Sequence, residues 1–210
     1  MEYDTPISTM IGKTLDILLL SALWFICCIP VITIGASTTA LYYAVVKCLR
    51  KGRGYVLQNF FHAFRQNFIP ATVLWLFYGI LAFVLYICFV FAAALNNAGL
   101  RFFMSTMYMF MGFVFLSMGS YSFPILSRCS MKCSQIIKFS FGLMIRHFPS
   151  TLIMVVIVGV AAAGMWYMPL FTFCFPAVGS LFFSLLMERI LIRYTPEEEK
   201  NSWYAERDGE

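Results

Sequence analysis

Few residues in this chain could do chemistry. Between Asp16 and Glu188 there is not one Asp or Glu, although the chain has 210 residues. General acid–base catalysis needs a group that holds or takes a proton beside the reacting atom, and this tract offers only histidines and thiols. His62 and His147 stand on or beside two basic, aromatic segments. There, facing headgroups or capping a helix accounts for them better than metal binding does. Seven cysteines (Cys27, Cys28, Cys48, Cys88, Cys129, Cys133 and Cys174) make an odd count without C-x-x-C spacing. Most lie in apolar runs, where a free thiol behaves as a small buried hydrophobe. Cys129 and Cys133 share a helical face at i, i+4, but no cluster of further ligands accompanies them. No Ser-His-Asp set, carboxylate dyad, Walker loop or zinc motif is present. The sequence therefore implies neither an enzyme nor a resident metal or cofactor. Asp16 and Glu188 are expected near the membrane interface, paired with Lys13 and with Arg189 or Arg193.

The most distinctive stretch is "CIPVITIGASTTALYY", Cys28 to Tyr43. Pro30 lacks an N–H and disfavours helix in the residue before it, so a first helix should end near Cys28. "PVITIG" is expected to be extended or loosely turned, with a new helix from Ala36 and Ser37 or Thr38 able to cap it. Two readings of Pro30, Thr33, Gly35, Ser37, Thr38 and Thr39 stand side by side. In one, the free N–H groups and hydroxyls at the new helix start hold an anion or a hydroxyl-rich solute. In the other, Ala36, Ala40 and Ala44 form a small-residue face that lets a neighbouring helix approach closely.

The elements around this stretch belong in a membrane. The chain is 61% hydrophobic and 12% charged, where a soluble domain would carry about 25% charge, and its mean hydropathy is +0.81. Asp16 inside the first apolar run, and the later spans, argue against a cleaved signal peptide. Leu57, Phe60, Phe61, Phe64 and Phe68 recur at helical spacing, which predicts an amphipathic interfacial helix over 54–68. A span over 69–95 should come next, with Pro70 in its first turn. Asn96–Gly99 reads as a polar turn, and 102–126 as a span ended by Pro124. A second basic interfacial helix is expected over 128–147, then spans over 151–167 and 177–192. "FICCIP" at Phe25 and "FTFCFP" at Phe171 share F-x-x-C-x-P, each soon followed by Gly and Ser. The expected fold is all-α: a polytopic membrane protein of five or six spans with two interfacial amphipathic helices. Residues 1–194 form one helical domain, and 195–210 a polar tail without fixed structure.

Lys47, Arg50, Lys51, Arg53 and Arg65 crowd one loop region, and Arg128, Lys132, Lys138 and Arg146 another. Positive loops stay in the cytoplasm, and these cations suit anionic lipid headgroups rather than nucleic acid. Met168–Pro176 and the turn at Asn96–Arg101 face outside, and the C-terminus is inside. If residues 15–49 cross once there are five spans; if they turn at Pro30–Gly35 there are six.

"LLLSALWFICCIPVITIGASTTALYY", the basic loop and "FFHAFRQNFIPAT" resemble the YesL-like family of small bacterial integral membrane proteins, whose molecular activity is not established. The resemblance implies a multi-pass protein of the bacterial cytoplasmic membrane with a role around carbohydrate uptake, and ABC-type transporter subunits as partners. It supplies no catalytic residues. Three functions stand as expectations: an accessory subunit for solute uptake; an autonomous small permease, or solute-binding component; and a membrane-organising protein that binds anionic lipid. Homo-oligomers are compatible with each.

The loop assignment has a direct check. In a cysteine-cleared background, single cysteines at Arg53 and Lys138 should resist an impermeant thiol reagent added to intact cells. Strong labelling at either position overturns the topology.

Overall fold

A computed structural model describes residues 6–50, 55–128, 131–167 and 175–194, and every described element is helical. The first helix, α1 (Pro6–Cys28), stops two residues before Pro30, where proline chemistry places the break. Of the two forms expected after Pro30, extended or loosely turned, the stretch is turned, and tightly so. Val31–Thr33 form one tight 3-10 turn, and α2 (Ile34–Ala44) starts directly after it, two residues earlier than expected. Neither Ser37 nor Thr38 caps it. Thr33 covers the break instead: its hydroxyl lies 2.6 Å from both Cys27 O and Pro30 O, carbonyls left over where α1 ends. Inside a bilayer such groups must find partners within the protein.

The chain then folds back. Ile17, Leu20, Leu23, Trp24 and Cys27 of α1 pack in one cluster with Ala40, Leu41, Ala44, Val45, Cys48 and Leu49. The second half of α1 thus packs back along α2. The end of α2 widens into a π-turn over Val45–Arg50. From Gly35 to Leu49, only Thr38, Tyr43 and Lys47 escape full burial. A helix buried on nearly all sides is a central one, and α1, α3, α4 and α7 all contact it.

The next helix, α3 (Val56–Ala93), merges what the sequence separates. The expected interfacial helix and the span after it form one continuous element of 38 residues with Pro70 inside it. At 1.5 Å per residue it is about 57 Å long, well beyond a hydrocarbon core of about 30 Å. Of its aromatic stripe, Phe60 is buried, whereas Leu57, Phe61 and Phe68 face outward. Asn97 starts α4 (Ala98–Arg128), its side chain accepting from Gly99 N at 3.1 Å. Pro124 lies within this helix and does not end it. After α5 (Cys133–Arg146) the chain bends by 107° into α6 (Phe148–Tyr167), and α7 (Phe175–Tyr194) closes the bundle. Lys138 and Arg146 lie on the exposed side of α5, with Ile136 and Met144 buried opposite.

Val31–Arg50, α3 and α4 are each long and apolar enough to cross a membrane, and a fourth crossing is added if the bent pair α5–α6 counts as one. Large side chains stand exposed along them, among them Phe83, Phe91, Phe102, Met109 and Phe110. Apolar surface on this scale belongs against lipid. Hydroxyls bind the helices to one another. Tyr78 OH meets Ser122 Oγ at 2.8 Å, Ser122 meets Ser140 at 3.1 Å, and Tyr121 OH meets Thr151 Oγ1 at 2.8 Å. Such interhelical bonds contribute about 0.6 kcal/mol each on average.

The closest approach is at Gly35. A Cβ there would stand 2.7 Å from both the Ala71 carbonyl oxygen and Trp75 Cβ. Gly35→Ala should therefore cost about 1–3 kcal/mol, read as a lower melting temperature in detergent. Gly119→Ala, with nothing near its Cβ, should leave stability unchanged or raise it slightly. Equal melting temperatures for the two variants would contradict the contact.

Candidate functional site

Two features could carry function: a cavity between the helices and a buried ion pair at its edge. The cavity encloses about 810 Å³. One stripe of α3 lines it (Trp75, Tyr78, Gly79, Ala82, Leu85, Tyr86 and Phe89), facing Tyr108, Gly112, Phe115, Gly119 and Phe123 of α4. These positions recur every three or four residues, the spacing that holds one helical face. Trp24, Thr38, Leu41 and Tyr42 close the inner wall, with Ile157, Ala161, Gly179 and Phe183 from α6 and α7. Glycine and alanine face aromatic rings across the gap, so the space is what the small residues leave unfilled.

Several polar atoms on this wall are turned back on the protein, while the buried Trp24 indole N–H has no partner among the described residues. Thr38 donates to Ile34 O at 2.6 Å and Ser120 to Leu116 O at 2.9 Å. Tyr78 OH is shared with Ser122, and Tyr42 OH donates to Glu188 Oε1 at 3.4 Å. What these residues offer a guest is ring faces and methyl groups.

The hydroxyl stretch after Gly35 divides around this wall. Thr38 reaches the cavity. Ser37 is fully buried beside the Cys28 thiol, and Thr39, also fully buried, donates to Gly35 O at 2.9 Å. Ala36, Ala40 and Ala44 are completely buried. The helix start that could have held a solute faces α3 instead, through Gly35. Pro30 sits exposed at the turn, and Thr33 is occupied with the break.

The second feature was not legible. Glu188 of α7 does not pair with Arg189, and the Arg193 side chain lies outside the described residues. Its carboxylate binds the guanidinium of Arg128, at the end of α4, and both side chains are almost fully buried, at 5% and 2% exposure. Tyr42 adds its hydroxyl from α2. One turn earlier on α7, Arg50 donates to Ser184 O at 2.9 Å. Arg50 therefore holds a helix and not only a headgroup. Among the other basic residues expected at headgroups, Arg65, Lys132, Lys138 and Arg146 are exposed, and Lys47 lies over the Tyr43 ring. Lys51 and Arg53 lie outside the described residues. The one hint of the pair was Glu188 itself, a lone acid within an apolar helix, which is the pattern of a buried partner.

Breaking a buried pair leaves one uncompensated charge and costs about 3–5 kcal/mol. Glu188→Gln and Arg128→Met should each lower the melting temperature and folded yield in detergent. The double variant Arg128→Met/Glu188→Leu, which removes both charges, should recover most of the loss. Singles that behave as wild type would show that the pair bears no structural load.

Residues 17–89, from α1 through most of α3, match a family model described as a protein of unknown function, DUF624. This is the family to which the YesL-like proteins belong. No curated protein and no solved structure matches the chain. The match covers the hinge, the buried helix α2, the Gly35–Ala71 contact and the α3 wall of the cavity, so the site is built in good part from a segment similar to a family whose function is unknown.

Proposed function

We propose that the protein is a non-enzymatic partner subunit of a membrane assembly for solute uptake, and is not itself a conduit for a polar solute. One observation carries the reading. The cavity is lined mainly by rings and aliphatic carbon, four of its hydroxyls, those of Thr38, Tyr42, Tyr78 and Ser120, are engaged with the protein, and the stretch Gly35–Thr39 is buried within the bundle apart from Thr38. A sugar crossing the bilayer needs hydrogen-bond partners that replace its water, because unsatisfied polar groups there cost several kcal/mol. The described wall supplies rings and methyls. Catalysis also lacks its groups: Glu188 is held by Arg128, and no other carboxylate lies between Asp16 and the tail.

The uptake role and the ABC-type transporter partners rest on the resemblance to YesL-like proteins. The α1–α2 hairpin favours six crossings, with both termini on the cytoplasmic side of the bacterial membrane. The basic face of Arg65, Lys132, Lys138 and Arg146 then lies against anionic headgroups.

Reconstitution tests the reading. Purified protein in liposomes should take up radiolabelled mono- and oligosaccharides no faster than protein-free liposomes. From native membranes in mild detergent, the tagged protein should carry with it the membrane subunit of a solute transporter. Saturable uptake by the protein alone would overturn the proposal and make it a permease.

A further inference from the structure

An apolar void that opens at bilayer depth has a definite occupant. Water enters a cavity only where it finds two to four polar partners, and this wall is mainly rings and aliphatic carbon, with the hydroxyls of Thr38, Tyr42, Tyr78 and Ser120 engaged elsewhere. The cavity opens sideways: Tyr86 and Met109, on its rim, are 65% and 71% exposed. At membrane depth the medium outside that rim is hydrocarbon. The shape fits as well. From Trp75 to Phe89 the wall runs about 21 Å along α3, longer than one leaflet's half of the roughly 30 Å core. Its volume of about 810 Å³ falls within the range of about 300–1,000 Å³ usual for small-molecule pockets.

A charge stands above the opening. Arg101 is exposed in the first turn of α4. It precedes Tyr108 of the cavity wall by seven residues, two turns, which puts both on one face of the helix. A guanidinium forks onto phosphate oxygens with matching geometry, and the start of α4 adds its own partial positive charge.

We propose that the cavity is a binding site for one anionic lipid. A hydrocarbon chain fills the space between α3 and α4, and the phosphate headgroup rests on Arg101, in the leaflet on the side of the Asn96–Arg101 turn. This goes beyond the partner-subunit reading and does not depend on it.

Trp24 and Trp75 line the cavity and serve as reporters once Trp166 and Trp203 are changed to Phe. The full chain is reconstituted in phosphatidylcholine bilayers containing phosphatidylglycerol with brominated acyl chains, which quench indole fluorescence on contact. Brominated phosphatidylglycerol should quench at a far lower mole fraction than brominated phosphatidylcholine. Arg101→Gln should raise the mole fraction needed about fivefold, as expected for one lost basic contact. Gly112→Phe should abolish the low-concentration quenching, because Gly112 lines the cavity and a Cβ there meets nothing within 4 Å, so a ring has room to occupy the space. Gly79→Phe does the same from the opposite wall and serves if the first variant fails to fold, which a melting curve reports. Equal quenching of the wild type by the two lipids overturns the proposal, as does phosphatidylglycerol quenching that survives whichever glycine variant folds. Either result is what random annular lipid, or a partner's helix lying in the groove, would produce.

Discussion

The contact between Gly35 and the backbone of Ala71 sets the position of α2, and most of the molecule is arranged around α2. In hydrocarbon the usual reason for apolar helices to associate is gone, because lipid chains are as apolar as leucine. What remains is close packing and hydrogen bonding. A glycine that lets one helix rest against the next one's carbonyl oxygen brings two backbones within reach of many small dispersion contacts. Ala36, Ala40 and Ala44 continue the approach, and fifteen residues of chain lose nearly all contact with lipid. The hinge just before Gly35 belongs to the same arrangement. It reverses the chain where the small face begins, and Thr33 satisfies the carbonyls that the reversal exposes.

The placement of polar groups in the bundle reflects the same medium. The tract between Asp16 and Glu188 holds no acid, and the bundle commits Glu188 to Arg128. Because that pair joins α4 to α7 while Tyr42 reaches it from α2, three helices meet at one carboxylate. Several hydroxyls on α4 are handled locally. Ser117, Ser120 and Ser122 each bond to the carbonyl four residues earlier, which keeps them satisfied in hydrocarbon.

Local chemistry was legible in the sequence and long-range geometry was not. The end of α1 near Cys28 was readable, because Pro30 acts on its immediate neighbour. The polar turn at Asn96–Gly99 was also readable, although α4 starts within it, at Ala98. Pro70 misled for the opposite reason: proline at a helix start and proline within a long helix look alike in sequence, and only packing against α2 decides between them. The same holds for Pro124. The partner of Glu188 lies 60 residues away, so the nearer arginines, 189 and 193, drew the assignment. The cavity could not be read as a motif, because it consists of volume that Gly79, Ala82, Gly112 and Gly119 leave unfilled. Its stripes have the spacing of any packed helix, and their relation to each other appears only when α3 and α4 face across the gap.

The last helix has a further consequence, for how the protein is made. Ser21 accepts a hydrogen bond from the backbone N–H of Ala177, Tyr42 donates to Glu188, and Arg50 donates to Ser184, contacts separated by 156, 146 and 134 residues of chain. A ribosome adding about 5–20 residues per second leaves α1 and α2 waiting on the order of ten seconds for all three partners. Through that interval the most buried helix of the finished protein has one side uncovered, with a tyrosine hydroxyl and an arginine turned toward a neighbour not yet synthesised. These three contacts close only once α7 has been made.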